Sequence, residues 1–234
     1  MKVAGIELPR ANKRLTFLYN EALELADSSD VIADVGADHG YLSAMLAKSN
    51  RFAKVIATDI SAPSLQKTSK LAKELGLTIH TRVGDGLLVA PDATTACICG
   101  MGGYEIIKIL KTKPTTQKYV LQPVQNPTEL RMYLLKNNYK IVKDYVIADK
   151  GKFYYIICVN GKGKNKYSKL NKLFGKDNIK NNQADFQMYL KNQINKLNFL
   201  EKFDIKQIER KQIKDIRQKQ KYYNLCKKLL NQEV

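Results

Sequence analysis

The chain has 234 residues, 44% of them hydrophobic, and a formal charge of +18. That length allows one large domain, or a medium domain with an appendage, and the apolar fraction is enough for a core. No apolar run has membrane-spanning length and no charged-then-apolar leader opens the chain, so the expectation is a soluble, cytoplasmic protein without a membrane partner. The four cysteines, Cys97, Cys99, Cys158 and Cys226, form no C-x-x-C pair and no Cys/His cluster. They read as reduced, buried thiols, with no metal site expected. The charge is uneven: residues 1–161 carry 21 basic and 15 acidic residues, net +6, and residues 162–234 carry 19 and 7, net +12. A surplus of that size calls for a polyanionic partner, most simply nucleic acid, although AT-biased coding also enriches Lys, Asn and Ile.

Residues 1–10 read as extended. Residues 11–27 form a predicted helix with Leu15, Leu18, Tyr19, Ala22, Leu25 and Ala26 on one face and Asn12 as N-cap. Lys13 and Arg14 fall in its first turn, where the helix dipole disfavours cations. Val31–Val35 reads as a buried strand. It runs into the spacing D-x-G-x-D-x-G at Asp34, Gly36, Asp38 and Gly40, and then into a helix reaching about Lys48. A strand, glycine loop and helix N-terminus make a nucleotide-sized cradle with bare N–H groups. The spacing is neither the dinucleotide G-x-G-x-x-G nor a phosphate-binding Walker loop. Asp34 and Asp38 would repel a pyrophosphate. They suit a cofactor with a cationic amino acid part, as S-adenosylmethionine has.

A second strand, Lys54–Thr58, ends in Asp59 and leads to a helix over 62–75 that stops at Gly76. A carboxylate at that strand end accepts hydrogen bonds from a ribose diol. A third strand, Leu77–Val83, ends in Gly84-Asp85-Gly86, where Asp85 could receive an adenine amino group. A fourth, Ala93–Cys99, ends in Gly100-Met101-Gly102-Gly103, and a helix follows over 104–110. Lys118–Gln122 is a fifth strand. Thr128–Asn137 is a helix with Thr128 as its cap, and 140–148 with 152–159 make a hairpin around Lys150-Gly151. Repeated strand–helix units closing on an antiparallel pair predict a Rossmann-like α/β sheet. Its ligands should lie at the carboxyl ends of the strands, where the glycine and acid clusters fall. Residues 161–169 read as a linker. Two amphipathic helices over 184–203 and 205–230 read as an antiparallel helical hairpin or short coiled coil, a basic arm suited to RNA phosphates.

DVGADHGYL, Asp59, VGDGL, GMGGYEIIKIL and LQP together resemble the TrmK family of bacterial tRNA (adenine(22)-N1)-methyltransferases. ANKRL resembles that family's S-K-R-L opening. The resemblance is dense over about residues 10–160 and mainly architectural over 161–234. GMGG, in place of the N-P-P-Y/F of many amino-methyltransferases, is its most specific element. The chain departs from the family in carrying Asp59 where relatives carry Glu, and Ala11-Asn12 where they carry Leu-Ser.

The resemblance implies a class I methyltransferase domain over 1–161 and a basic α-helical coiled-coil domain over 162–234. It implies methyl transfer from S-adenosyl-L-methionine to N1 of a tRNA adenine, by a monomer. The implied cofactor residues are Asp34, Gly36, Ala37, Asp38, Gly40, Asp59, Ile60, Gly84, Asp85, Gly86 and Gly100, with Ile60 and Leu87 sandwiching the adenine ring. Gly100, Met101, Gly102, His39 and Tyr41 would position the target base, with no obligatory nucleophile. Arg10, Lys13, Arg14, Tyr104, Arg210 and Arg217 would touch RNA. Two alternatives stand beside this reading: a methyltransferase acting on another acceptor, and an inactive relative that only binds RNA.

Overall fold

The computed structural model describes residues 2–3, 6–7, 13–112, 116–201 and 210–231. Asn12, the expected cap of the first helix, and Arg10 lie outside them. Two short strands, β1 (Lys2–Val3) and β2 (Ile6–Glu7), pair with each other, and α1 (Lys13–Leu25) follows. The alternating units are β3 (Val31–Val35), α2 (Tyr41–Lys48), β4 (Lys54–Asp59), α3 (Ala62–Glu74), β5 (His80–Val83), β6 (Thr95–Gly102), α4 (Gly103–Leu110), β7 (Lys118–Gln125) and α5 (Pro127–Lys136). The hairpin β8 (Tyr139–Asp149) and β9 (Lys152–Lys162) closes the sheet. The remainder is helical: α6 (Lys169–Phe174), α7 (Lys176–Asn181), α8 (Ala184–Leu197), a 3-10 turn (Asn198–Glu201) and α9 (Arg210–Leu230).

Seven strands form one sheet in the order β5-β4-β3-β6-β7-β9-β8. The five from β5 to β7 are parallel, and β9 and β8 add antiparallel. From β3 the chain winds outward through β4 to β5, then returns to β6 on the other side. The switch point therefore lies between β3 and β6, where the crevice of such sheets opens. Period-two alternation distributes the strand residues between two faces. Ala33, Val35, Tyr119 and Leu121 pack with Ile106, Leu130 and Leu134 of α4 and α5. Ile32 and Val120 pack with Leu15, Leu18, Met45 and Leu46 of α1 and α2.

Three local details depart from the sequence reading. The cap of α5 is Asn126, at φ 55°, and Thr128 lies inside the helix because Pro127 takes the first helical position. The fourth strand does not stop at Cys99. It runs on through Gly102, pairing Met101 with Pro123 and Gly102 with Gln125, with a register shift at Gly100. Strand β9 runs on through Lys162, into the start of the stretch expected to be linker, while α6 and α7 fall in the remainder from about 170, which reads as helical.

The tail is anchored on the sheet. Phe174, Phe186, Tyr189, Leu190, Cys226 and Leu229 form a cluster with Val146 of β8, and Phe153 and Tyr155 of β9 pack against it. The Tyr155 hydroxyl donates to Tyr189 at 2.7 Å, and the Tyr189 and Tyr222 hydroxyls share a hydrogen bond of 2.7 Å, so β9, α8 and α9 are joined in one chain. Beneath them, Arg131 of α5 is fully buried and donates from Nε to both carboxylate oxygens of Asp144, at 2.9 and 2.8 Å. Its Nη1 reaches the Leu173 carbonyl. This buried pair binds α5, β8 and α6 together. Sequence pattern misses it because a lone Arg in a helix reads as surface.

Candidate functional site

Two adjoining cavities open at the carboxyl edge of the sheet. The larger, about 580 Å³, is lined by the ends of β3, β4 and β6 (Gly36, Asp59, Ile60, Gly100, Met101), by the Gly84-Asp85-Gly86 loop and by α4. The smaller, about 280 Å³, lies between the N-terminal part of α1 and the loop after β3. Gly36, Cys99 and Gly100 belong to both. One elongated ligand could therefore run from the first into the second.

The loop after β3 is not an anion nest. Gly36 and Ala37 give their N–H groups to the Thr58 carbonyl at 2.8 and 3.1 Å, and Gly40 gives its own to Ala37. The Asp38 N–H goes to Asp59 Oδ2 at 3.2 Å. Four N–H groups of the loop are thus satisfied inside the protein, and acids dominate the charged groups that face the cavities. Asp59 also accepts from Ser61 N at 2.9 Å. Both of its oxygens are held in place, and each carboxylate oxygen keeps further acceptor capacity. Asp85 stands exposed at the cavity wall. Ile60 is 79% exposed beside it, an apolar side chain with only the cavity to cover. Leu87, expected as its counterpart, is instead buried in the core under α4.

Asp34 lies at the inner end of the smaller cavity, almost fully buried. Ser43 donates to it at 2.6 Å. Burial pushes its carboxyl up to about 6, with Ser43 and the positive field of Arg14 opposing and Asp59 reinforcing. Arg14 lines the same cavity. Its Nη1 donates to Gln122 Oε1 at 2.8 Å, and its guanidinium lies over the Tyr154 ring at 5.6 Å. Since Arg can only donate, this contact fixes the orientation of the Gln122 amide. The Asp149 carboxylate, at the hairpin turn, accepts from Arg14 N at 3.4 Å and brings an acid to the cationic first turn of α1.

At the outer end are His39 and Tyr41, their rings parallel within 9° and 5.8 Å apart. His39 Nδ1 is 2.6 Å from Asp38 Oδ2. Asp38 itself sits in the left-handed region at φ 45°. It is pinned there by its N–H to Asp59 and by Thr68, whose hydroxyl donates to its carbonyl at 3.0 Å.

Gly100 sits at the register shift of β6 with φ 78°, so the shift forms a bulge that turns the backbone beside the crevice, where a side chain would be strained. Gly103 is needed for space: a Cβ there would come within 2.3 Å of the Asn126 carbonyl oxygen. Gly102 donates its N–H to Glu105 Oε2 at 2.6 Å.

The cavities thus gather Asp34, Gly36, Ala37, Asp38, His39, Tyr41, Asp59, Ile60, Gly84, Asp85, Gly86, Gly100, Met101 and Arg14. Gly40, Gly102 and Tyr104 line neither; Gly40 packs on Thr68, and Tyr104 is 57% exposed on the outside of α4. Lys13 is held by Asp185 of α8 at 2.8 Å. Arg217 is exposed on α9, and the side chain of Arg210 lies outside the described residues. Sequence reasoning passed over Glu105, Lys108 and Ile109, which present one face of α4 to the larger cavity, and Thr112 in the turn that follows. Their spacing of three, four and seven residues behind a glycine-rich strand end is the signal that could have found them. It also passed over Cys99 as a cavity residue and Gln122 as the partner of Arg14.

The model of the TrmK family, described as tRNA (adenine(22)-N(1))-methyltransferase, matches residues 32–227. The tRNA (adenine(22)-N(1))-methyltransferase of Bacillus subtilis is 30% identical over 142 residues, 57% of this chain and 60% of that protein. Among solved structures, TrmK of M. capricolum, in complex with the cofactor product S-adenosyl-homocysteine, superposes with TM-score 0.77 at 26% identity. The match covers 92% of this chain and 99% of that one. An uncharacterized protein from Listeria monocytogenes serotype 4b superposes with TM-score 0.84 at 26% identity, over 95% of this chain and all of that one.

Proposed function

This chain belongs to the TrmK family of tRNA (adenine(22)-N(1))-methyltransferases, and we infer from that premise how its own residues divide the work. The activity is methyl transfer from S-adenosyl-L-methionine to N1 of adenine 22 in tRNA. One observation carries the division of the site: the two cavities share Gly36, Cys99 and Gly100, and their charged groups differ. The larger takes the adenosine part of the cofactor, with Asp59 on the ribose hydroxyls, Asp85 on the adenine amino group, and Ile60 over the ring. Gly84 and Gly86 form its wall, where a Cβ would meet Val89 and Ile109 respectively.

The inner end of the smaller cavity takes the amino acid part. Asp34 and Arg14 face it with opposite charges, as a zwitterion requires, and Gln122 holds Arg14 in place. A buried Asp34 whose carboxyl is pushed up to about 6 regains a charge partner when an ammonium arrives. The residues therefore fit this cofactor. Bound there, it supplies the methyl group as an electrophilic sulfonium. Because N1 of adenine carries an in-plane lone pair, the chain need only position the base and exclude water. Gly100 leaves room for it, with open space where a side chain would stand, Met101 borders it from the larger cavity, and His39 and Tyr41 line its side.

The tail from residue 162 forms the second part of the molecule, and its basic face, with Arg217, lies along tRNA phosphates. Tyr104, exposed on the outside of α4, is a further tRNA contact, and Lys13 contributes by holding α8 to α1. The enzyme works as a monomer in the cytoplasm. Among the described residues, no helix is long and apolar enough to cross a membrane, and the four cysteines are unpaired.

The test is nucleoside analysis of tRNA after incubation with the protein and methyl-labelled cofactor. Label in N1-methyladenosine at position 22, absent from a transcript with another base there, is the expected result. Transfer to a small acceptor and none to tRNA would overturn the reading. Cofactor binding without any transfer would point to an inactive relative.

A further inference from the structure

We propose that His39 is a specificity-determining residue: its Nε2 accepts a hydrogen bond from the exocyclic amino group of the target adenine, in the tautomer set by Asp38. This rests on the methyltransferase reading above and gives one atom of the site a definite role. The argument begins with the ring's surroundings. Nδ1 faces Asp38 Oδ2 at 2.6 Å, and a carboxylate can only accept, so Nδ1 carries the proton. Nε2 of the neutral ring is then an acceptor. No hydrogen bond to it is found among the described residues, and the His39 ring lines the smaller cavity.

Two contacts orient the ring. It is parallel to Tyr41 at 5.8 Å and meets the Asp38 carboxylate, while the Asp38 backbone is held at its N–H by Asp59 and at its carbonyl by Thr68. A gradient of burial separates the two ends of the cavity. Asp34 is 4% exposed at the inner end, whereas the His39 side chain is 35% exposed at the outer end. The inner end is committed to the cofactor, so the base arrives at the outer one.

An acceptor there is matched to the chemistry. The N1 lone pair forms the new N–CH3 bond as the S–CH3 bond breaks and its electron pair stays on sulfur. The positive charge passes from sulfur to the amidine made of N1, C6 and the exocyclic nitrogen. No proton has to leave for this step. As the charge arrives, the exocyclic N–H becomes a stronger donor, so a fixed acceptor beside it stabilises the transition state more than the ground state. An adenine presents a donor at that position, and a guanine or inosine presents a carbonyl oxygen, which Nε2 would repel.

The experiment pairs one enzyme atom with one substrate atom. Full-length tRNA carrying purine riboside at the target position keeps N1 and lacks the amino group. With wild-type enzyme its single-turnover rate falls about ten- to a hundredfold against adenine tRNA, the range of one hydrogen bond to a charged group. His39→Ala causes a similar loss on adenine tRNA and little further loss on the purine tRNA. His39→Gln, whose amide oxygen can accept, recovers part of the rate. Asp38→Asn, which donates to Nδ1 and moves the proton to Nε2, behaves like His39→Ala.

A second readout needs no catalysis. His39→Ala should weaken binding of product tRNA, which bears the cationic base, more than binding of substrate tRNA. Nitrogen-15 NMR of the two histidines, His39 and His80, assigns the tautomer directly. Equal losses on both tRNAs for His39→Ala, or a proton on Nε2 in the wild type, would overturn the proposal. Wild-type enzyme that leaves adenine tRNA unmethylated would overturn the underlying reading instead, so the two failures are distinct.

Discussion

At the scale of single residues, Asp34 is the most consequential group. Its folded pKa, about 6, lies above the ordinary value of 3.8. The folded state therefore holds this proton more tightly than the unfolded chain does. Asp34's contribution to stability is present at low pH and disappears as pH rises through about 6. An ammonium ligand has the opposite requirement, since it needs the carboxylate. Cofactor affinity measured by calorimetry should therefore weaken as pH falls below about 6, and Asp34→Asn should abolish that dependence along with most of the affinity. Asp59→Ala should weaken cofactor binding by about 1–3 kcal/mol, because hydrogen bonds to a charged acceptor are removed. Unchanged affinity would remove the ribose role. The acids at the strand ends are legible in the sequence because a carboxylate between glycines has few structural uses. The Arg14–Gln122 contact is not, since 108 residues separate its partners.

At the scale of elements, the site depends on how β6 passes into α4. The bulge at Gly100 redirects the backbone, and Gly103 lets α4 start directly against the loop that opens α5. Gly103→Ala drives a methyl into a backbone carbonyl that cannot rotate away. It should cost about 1–3 kcal/mol in urea denaturation, as overpacking does. Because α4 carries Glu105 and Lys108 into the larger cavity, the same change should also lower cofactor affinity. The tail is the second case. Its helices cover Val146, Phe153 and Tyr155 of the hairpin, so removal of 162–234 uncovers apolar strand surface. A lower melting temperature for the truncated chain, followed by circular dichroism, is the expected outcome. Tyr189→Phe, which breaks the tyrosine chain without opening a cavity, should cost less, about 1–3 kcal/mol.

For the whole molecule the charge is the leading quantity. A net +18, two thirds of it beyond residue 161, leaves residues 1–161 at +6 and the shorter tail at +12. Binding to tRNA should weaken steeply with salt. Arg217→Glu combined with Lys221→Glu on α9 should lower the slope of log affinity against log salt by about one unit for each phosphate that is no longer neutralised. Cofactor affinity should stay unchanged. An unaltered slope would move the tRNA-binding surface elsewhere on the protein.

The sequence by itself determines the order of strands and helices, the sheet class and the edge where the site lies. Those follow from local periodicity and from turn residues whose chemistry is carried by near neighbours. It places Asp34, Asp59, Asp85 and the GMGG turn at strand ends for the same reason. Only the tertiary structure decides which groups face the cavities and which are used up. It spends the Gly36 and Ala37 N–H groups on Thr58, buries Leu87, extends β6 through Gly102, pairs Arg131 with Asp144 and seats the tail on the hairpin. Each of these is a contact between segments distant in sequence or a competition for one donor, and neither leaves a mark on local pattern. The helices of the tail read plainly as helices, but their amphipathic stripe could not say whether it faced a partner helix, a sheet or RNA. In the structure α8 and α9 pack on each other, as the hairpin reading expects, and together on the apolar side chains of β8 and β9.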